Sequence, residues 1–309
     1  MSLSALQAGD LVAVLAPAGP APADQVAAVP ALYHRHGLRV RLYPSCHAHT
    51  GYLAGPDALR LADLHSALAD PEVAAIHCLR GGYGAMRLLA DIDTTLVRRA
   101  AKLLVGYSDI TALHALWARC GLASLHAPMP ASDLVKPGRE SDELALFDLL
   151  RSGLQEGAVL RPDLAPDGLR AGGSAQGLLV GGNLSLVAAL LGTPWAWDTR
   201  GAILFLEDVS EEPYRVDRLL TQLRLAGVLD AVAGFVLGSF TEETSPTALL
   251  QDMLCSLGKP VLGGWPTGHG TPNLPLPMGV PVRLDATAGT ITLLQDFLRP
   301  PKASTQPAK

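Results

Sequence analysis

Polar residues with catalytic chemistry follow short apolar segments at four places in this chain of 309 residues. They are Ser108 after KLLVGY, Arg80 at the start of RGGYG, Glu207 at the end of AILFLE, and His269 between two glycines in GHG. These residue types can supply a nucleophile, a base, and a carboxylate that orients the base. Ligands of open α/β sheets bind at the carboxyl ends of the strands, so these segment ends are the first candidates for a site.

Ser108 permits two interpretations. Gly106 gives half of the G-x-S-x-G nucleophile turn, but Ile110 occupies the position of the second glycine. Serine is also among the best helix N-cap residues, and this stretch alone favours the cap. A serine where a strand meets a helix is nevertheless placed for attack on a carbonyl, because the amides at the helix start can stabilise an oxyanion.

The RGGYG segment places two adjacent glycines, Gly81 and Gly82, after a strand-like run. Without side chains, their backbone amides can approach a ligand closely, as an oxyanion hole requires. Neither G-K-[ST] nor G-x-G-x-x-G is present, so the segment carries no nucleotide fingerprint. A tight turn without function is an equal alternative.

The remaining candidates differ in strength. Glu207 can orient a histidine or act as an acid or base, although an isolated glutamate at a strand end is usually structural. His269 is the best catalytic candidate among the nine histidines, because a glycine-flanked backbone is a poor place for core filler. His47 and His49 of CHAH would share one face of a strand, but no further metal ligands are evident. His77 lies within an apolar run and is interpreted as a core residue.

Strand-length apolar runs alternate with helix-like segments in the first half of the chain, which predicts a parallel, doubly wound α/β sheet. The runs are 11–17, 74–79 and 102–107. A charged helix over 140–153 and a Pro/Gly/Asp-rich linker over 161–173 follow. The second half is predicted to contain strands over 202–207 and 233–240, a helix over about 214–227, and a hairpin over 282–294.

The composition excludes several classes of protein. Apolar residues make up 49% of the chain and charged residues 17%, the net charge is −5, and no block of lysine and arginine is present, so we expect no nucleic-acid partner. The uncharged segment 177–197 is interrupted by glycines and Asn183, and is interpreted as a buried loop, helix and turn that does not span a membrane. No secretory signal is apparent, and the four separated cysteines are expected to be reduced thiols.

Several segments taken together resemble the LD-carboxypeptidase family of serine peptidases. They are RGGYGAMRLL, LLVGYSDITALH, GLLVGGNLSLVAALLGTPW, ILFLEDVSEEPYRVDRLLTQLRLAG and GHGTPNLPLPMGVPVRLDA. The resemblance implies a Ser-His-Glu triad, with Ser108 as nucleophile, His269 as base and Glu207 as the orienting carboxylate. We expect the oxyanion to be received by the amides of Asp109 and Gly82.

The resemblance also implies a fold and a setting. The expected architecture is an amino-terminal flavodoxin-like domain over 1–158 and a carboxyl-terminal swivelling β/α domain over 159–299, with the active site between them. Residues 300–309 are expected to be a disordered tail. The family further implies a cytoplasmic homodimer without metal or cofactor and without a membrane partner. Ala127 in HAPM departs from the glycine expected in the family, which puts substrate fit in doubt more than mechanism.

The implied activity is removal of the terminal D-alanine from murein tetrapeptides, at the amide that follows an L-centred diamino acid, during peptidoglycan recycling. Arg80 is a candidate partner for the free carboxylate of the substrate. One alternative is a microcin-immunity type peptidase that cleaves a peptidyl-adenylate, which would need an aromatic stacking residue such as Trp195 or Trp197. The other is a non-catalytic two-domain protein that binds a peptide or sugar, in which Ser108 is only a helix cap.

Overall fold

The computed structural model describes residues 3–163, 169–241 and 245–299. The strands are, in chain order, β1 Leu11–Leu15, β2 Arg39–Leu42, β3 Val73–Cys78, β4 Leu103–Gly106, β5 Ser124–His126, β6 Val159–Leu160, β7 Arg170–Ala171, β8 Ser174–Asn183, β9 Ile203–Val209, β10 Gly234–Thr241, β11 Val261–Leu262, β12 Leu276–Met278, β13 Pro281–Asp285 and β14 Thr290–Leu293.

The helices are α1 Ala23–Arg35, α2 Asp57–Ala69, α3 Thr94–Ala100, α4 Thr111–Arg119, α5 Glu140–Ser152, α6 Leu184–Ala189, α7 Pro213–Leu225, α8 Val228–Ala231 and α9 Thr247–Leu250. Short 3₁₀ turns cover Pro44–His47, Ala85–Leu88 and Ser108–Ile110, and π-helical turns cover Pro130–Leu134 and Gln251–Cys255. Among the described residues, no helix is both long enough and apolar enough to cross a bilayer.

The first sheet has the strand order β12-β5-β4-β3-β1-β2. Strands β1 to β5 are parallel in the 2-1-3-4-5 order of flavodoxin-like folds, which confirms the predicted parallel α/β architecture. Alternate residues of β1 face two different core clusters, with Val12 and Val14 in one and Leu11, Ala13 and Leu15 in the other. The strand is continuously apolar because both faces of the sheet are buried.

The second sheet has eight strands in the order β6-β14-β13-β8-β9-β10-β11-β7. Strands β8 to β11 run parallel, and the pairs β13–β8, β14–β13, β6–β14 and β7–β11 are antiparallel. The predicted hairpin is present as β13 and β14, and the predicted helices appear as α5 and α7. One buried cluster runs from the first sheet into the second through Leu179, Ile203 and Phe205, so the two sheets share packed apolar surface.

Three features depart from the sequence interpretation. The start of segment 177–197 is strand, since β8 continues to Asn183 before α6 begins. A Cβ at Gly182 would lie 2.5 Å from the Thr111 Oγ1, so the glycines there serve close packing of a strand on α4. The predicted linker contains β7, and its residues 164–168, like the predicted tail 300–309, lie outside the described residues. Strand β12 from the second half of the chain joins the first sheet.

Candidate active site

Ser108 lies at a sharp turn between β4 and α4. Its φ is +63°, a left-handed conformation that non-glycine residues seldom adopt, and Gly106 before it has φ +156°. Tyr107 and Ile110, and not Ser108, occupy the N-cap positions of the 3₁₀ turn and of α4. Its hydrogen-bond partner is His269, whose Nε2 lies 3.1 Å from the serine Oγ. The cap interpretation that the stretch alone favoured is therefore not what the side chain does.

Glu207, His269 and Ser108 form a continuous chain of hydrogen bonds. The Glu207 Oε2 lies 2.6 Å from His269 Nδ1 and also accepts from the His269 backbone N–H at 3.2 Å. A carboxylate can only accept, so Nδ1 carries the proton and Nε2 is left to accept from the serine hydroxyl. This is the tautomer in which a histidine can take a proton from a nucleophile.

Burial and charge set the proton affinities of the pair. Glu207 is fully buried, which alone would raise its pKa, but the adjacent His269 and His126 outweigh burial and lower the pKa. Burial alone would lower the pKa of His269, yet the Glu207 carboxylate raises it above the ordinary value. Glu207 is therefore ionised and stabilises positive charge on the imidazole.

His269 belongs to residues 267–273, here named the histidine loop, which connects the second sheet to β12 of the first. Gly268 has φ +113°, and a Cβ there would lie 2.6 Å from the Glu207 Oε2. Its N–H donates to the Asn273 side-chain oxygen at 2.9 Å, and the Asn273 N–H donates to Asp142 of α5 at 3.0 Å. Arg139 donates to both Asp142 and the Gly270 carbonyl. The side chains of Asp142 in α5 and of Arg139 just before it thus hold the loop that carries His269.

The glycine pair after β3 lies directly beside Ser108. A Cβ at Gly81 would lie 2.8 Å from the Ser108 Cβ, so only glycine fits there. The Gly81 carbonyl accepts from Gly19 at 3.0 Å, and the N–H on the opposite side of that trans peptide belongs to Gly82. In the part of the chain that the structure describes, neither this N–H nor that of Asp109 has a protein acceptor. Two backbone donors are therefore available near the serine.

The Asp109 side chain also fixes the segment that carries Gly81 and Gly82. Its Oδ2 accepts from the Ala85 N–H at 2.7 Å, which ties the glycine segment to the serine turn. Burial raises the pKa of Asp109 to about 6.

Arg80 donates from Nη1 to the Pro20 carbonyl at 2.8 Å and lines a cavity of about 510 Å³ with His47 and His49. Among the described residues, the Arg80 side chain makes no hydrogen bond or ion pair with Ser108, His269 or Glu207.

The other histidines named from the sequence lie elsewhere. His47 ends a 3₁₀ turn, so the strand in which His47 and His49 would share a face does not form. His77 is a satisfied core residue, as predicted, with Nδ1 2.7 Å from the Tyr33 hydroxyl and Nε2 3.0 Å from the Pro128 carbonyl. Ala127 is fully buried, and its N–H donates to the carbonyl of Gly106, two residues before Ser108. The extra methyl group is thus accommodated inside the core.

Three residues around the site were not singled out from the sequence as functional. Asp142 and Asn273 hold the histidine loop, and His126 lies behind Glu207. His126 had a signal, since it precedes Ala127 in the HAPM segment. Asp142 lies in a charged helix that indicates only a solvated face, so no local pattern identifies it.

Two models of one protein family match this chain. The family model described as LD-carboxypeptidase N-terminal domain matches residues 12–127, and the model described as LD-carboxypeptidase C-terminal domain matches residues 176–284. A Bacillus subtilis protein named "Probable murein peptide carboxypeptidase" is 38% identical over 302 residues, which cover 94% of this chain and 93% of that protein.

Solved structures agree with these matches. The muramoyltetrapeptide carboxypeptidase from Oxalobacter formigenes has a TM-score of 0.82 and 32% sequence identity, covering 94% of this chain and 99% of that one. A structure of MccF in complex with glutamyl sulfamoyl guanosine has a TM-score of 0.85 at 24% identity, covering 96% and 99%. MccF of Escherichia coli is named a microcin C7 self-immunity protein. The second likeness shows a common fold.

Proposed function

The chain belongs to the LD-carboxypeptidase family and is a serine carboxypeptidase, and on that premise we propose that it removes the terminal D-alanine of murein tetrapeptides by a Ser-His-Glu mechanism. The observation that carries the proposal is the hydrogen-bonded chain from Ser108 through His269 to Glu207. It joins residues from two sheets that are far apart in sequence. A single hydrogen bond would be enough to hold the two sheets together at this point, so the chain of three residues has no evident structural role.

In the first step Ser108 attacks the carbonyl carbon of the amide between the diamino acid and D-alanine. His269 accepts the serine proton at Nε2, and Glu207 stabilises the imidazolium through Nδ1–H. Ser108 lies just beyond the end of β4 in a left-handed conformation and is only partly buried, so a substrate can reach its hydroxyl. Attack produces a tetrahedral centre with one negatively charged oxygen.

The amides of Asp109 and Gly82 are the proposed donors to that oxygen. Both lack a protein acceptor among the described residues, and Gly81 leaves the space beside Ser108 open. Each donor in such a hole contributes about 3 to 4 kcal/mol to transition-state stability. His269 then protonates the departing amine of D-alanine. A water molecule that the same histidine deprotonates hydrolyses the acyl-enzyme and regenerates the serine.

A carboxypeptidase must also recognise the free terminal carboxylate, and Arg80 is the proposed partner. It is adjacent to Gly81, and its side chain retains donors beyond the one given to Pro20. Replacing Arg80 with Gln should lower kcat/KM for the tetrapeptide by about 10- to 100-fold, the value of a hydrogen bond to a charged group. The same change should leave the rate on the terminally amidated peptide unaltered.

Arg87→Gln is the matched control, because Arg87 is an exposed arginine that pairs with Asp57 on the outside of the same loop. An equal loss on both peptides in Arg80→Gln would remove Arg80 from substrate recognition.

The common fold with MccF supports a second candidate, cleavage of a peptidyl-adenylate. Trp195 and Trp197, the suspected stacking residues, pack against a buried apolar cluster, which favours the murein peptide. Incubation of the protein with a murein tetrapeptide and, separately, with a peptidyl-adenylate distinguishes the two by mass spectrometry. We expect loss of one alanine from the tetrapeptide. Cleavage of the adenylate with an intact tetrapeptide would overturn the first proposal.

The setting of the reaction is part of the same proposal. A cytoplasmic homodimer that acts on recycled muropeptides is what the family resemblance implies, and the low content of charged residues favours further buried apolar surface between subunits. Light scattering at micromolar concentration tests the dimer, with the mass of a single chain as the contrary result.

A further inference from the structure

A second histidine lies behind the proposed triad, on the side of Glu207 that faces away from His269. His126 ends β5 and is fully buried. Its Nε2 is 3.8 Å from the Glu207 Oε1, beyond hydrogen-bond distance. Within the described ranges, neither ring nitrogen of His126 has a hydrogen-bond partner, and the Glu207 Oε1 has none either.

The neighbours of His126 are already committed elsewhere. His114 lies 6.1 Å away between ring centroids, and its two nitrogens contact the Ser124 hydroxyl and the Gly106 carbonyl. The Tyr107 hydroxyl donates to Asp133. Phe205 packs its ring edge-to-face with His126 at 5.1 Å and offers no polar atom. Glu207 is therefore the acceptor within closest reach of the imidazole N–H.

Buried polar atoms without partners are costly, and two of them facing each other are rarer still. Here the His126 Nε2 and the Glu207 Oε1 are a donor and an acceptor of matching chemistry. They lie less than about 1 Å farther apart than the two atoms of an ordinary hydrogen bond. His126 belongs to the first sheet and Glu207 to the second, so a small approach of the two sheets closes the gap. Catalytic hydrogen bonds are commonly long in ligand-free enzymes and shorten when substrate is bound.

We propose that His126 is a positioning residue, which donates its Nε2–H to the Glu207 Oε1 when substrate is bound and so keeps Oε2 directed at His269. The inference rests on the proposed function, because it acts through the carboxylate of that triad. The carboxylate is then held by one histidine on each oxygen, one from each sheet. Closure of the cleft over a substrate and full orientation of the base become the same event.

His126→Met and His126→Gln form the matched pair for the test. Their side chains have nearly the same length, but the glutamine amide can place a donor where Nε2 stands and the methionine cannot. We expect His126→Met to lower kcat on the tetrapeptide by about 10- to 100-fold with little change in KM. His126→Gln should recover most of that loss. Equal activity losses in the two variants would overturn the proposal.

Combination with Glu207→Gln provides an independent readout. If His126 acts through Glu207, adding His126→Met to Glu207→Gln should not lower the residual rate further, because coupled residues are not additive. A further drop as large as that in the single variant indicates a merely structural role and contradicts the inference. If His126→Met does not fold, as judged by circular dichroism, His126→Asn replaces it, since the shorter amide cannot reach Oε1.

Wild-type protein is assayed beside every variant. Absence of tetrapeptide cleavage by the wild type refutes the proposed function itself. Cleavage by the wild type together with unaltered activity of His126→Met refutes only the role of His126.

Discussion

The backbone turn at Ser108 forms from residues that are close in the chain, whereas the loop that carries His269 is held by residues from two distant elements. The serine turn, residues 106–110, follows from Gly106 and from the start of α4. The histidine loop has no regular secondary structure, and its shape depends on Glu207 of β9, Asp142 of α5 and the strand that follows it. The conformation of one half of the proposed site is thus largely set within a few residues, although Ala85 and Ala127 also bond to it, whereas the other half depends on the complete fold.

The comparison explains which parts of the site a sequence can reveal. Ser108 was recognisable because a glycine and a helix-start pattern surround it within a few residues. His269 became a candidate through its flanking glycines, and Gly268 is needed because a side chain there would collide with Glu207. The sequence does not show that Asp142 and His126 lie at the site, since their contacts arise only when α5 and the two sheets pack together.

The fold shows the same division. Alternating runs of strand and helix length predicted the parallel first sheet, because both faces of its strands are buried and local periodicity records that. From the sequence alone, the glycine-containing later part of β8 is interpreted as a loop. Its glycines permit close contact with α4 and the β9 backbone, which no local pattern distinguishes from a turn. The pairing of β12 with the first sheet is likewise a long-range event.

Replacement of the nucleophile should give the largest effect and leave the fold unchanged. Ser108→Ala is expected to lower kcat by about 10⁶-fold, as for nucleophiles of other serine hydrolases. Stability should change by less than about 0.5 kcal/mol, because Ser108 does not occupy the N-cap position of the 3₁₀ turn or of α4. D-alanine release and urea unfolding measure the two. A stability loss of about 1 kcal/mol with retained activity would restore the interpretation as a helix cap.

Replacement of the orienting carboxylate should have the next largest effect. Glu207→Gln presents an amide to Nδ1 and favours the tautomer that cannot accept the serine proton, so kcat should fall by about 10⁴-fold. Steady-state assays with the tetrapeptide measure this change. Glu211→Gln on the segment that follows β9 serves as the control. Comparable losses in the two variants would argue that Glu207 has no specific role.

Loss of a side chain that supports the histidine loop should have a smaller effect than loss of Glu207, and should lower both activity and stability. Asp142→Ala removes the acceptor for Asn273 and the partner of Arg139, and should destabilise the fold by about 1 to 3 kcal/mol. Displacement of His269 should lower kcat by about 10- to 100-fold.

Asp148→Ala on the same helix is the matched control, since Asp148 is exposed and pairs only at the surface with Arg151. Normal activity in Asp142→Ala would show that the loop is self-supporting, and the contrast with the serine turn would fail.

The smallest expected effect is a shift in the pH dependence of kcat/KM. The base must be neutral to accept a proton, and Glu207 raises the pKa of His269. The acid limb of kcat/KM is therefore expected at a pH above the ordinary imidazole value of about 6.5. In Glu207→Gln the limb should move to lower pH, because the adjacent charge that raises the pKa of His269 most strongly is gone, while burial still lowers this pKa. Identical limbs in the two proteins would exclude control of the base by Glu207.

A crystal structure of Ser108→Ala with an intact murein tetrapeptide tests the central claim most directly. The account predicts that the terminal amide lies in the cleft, with its carbonyl carbon about 3 to 3.5 Å from the position of the missing hydroxyl. The carbonyl oxygen should face the amides of Asp109 and Gly82, and the terminal carboxylate should face Arg80. A tetrapeptide bound away from this turn, or with its terminal amide pointing out of the cleft, would contradict the account.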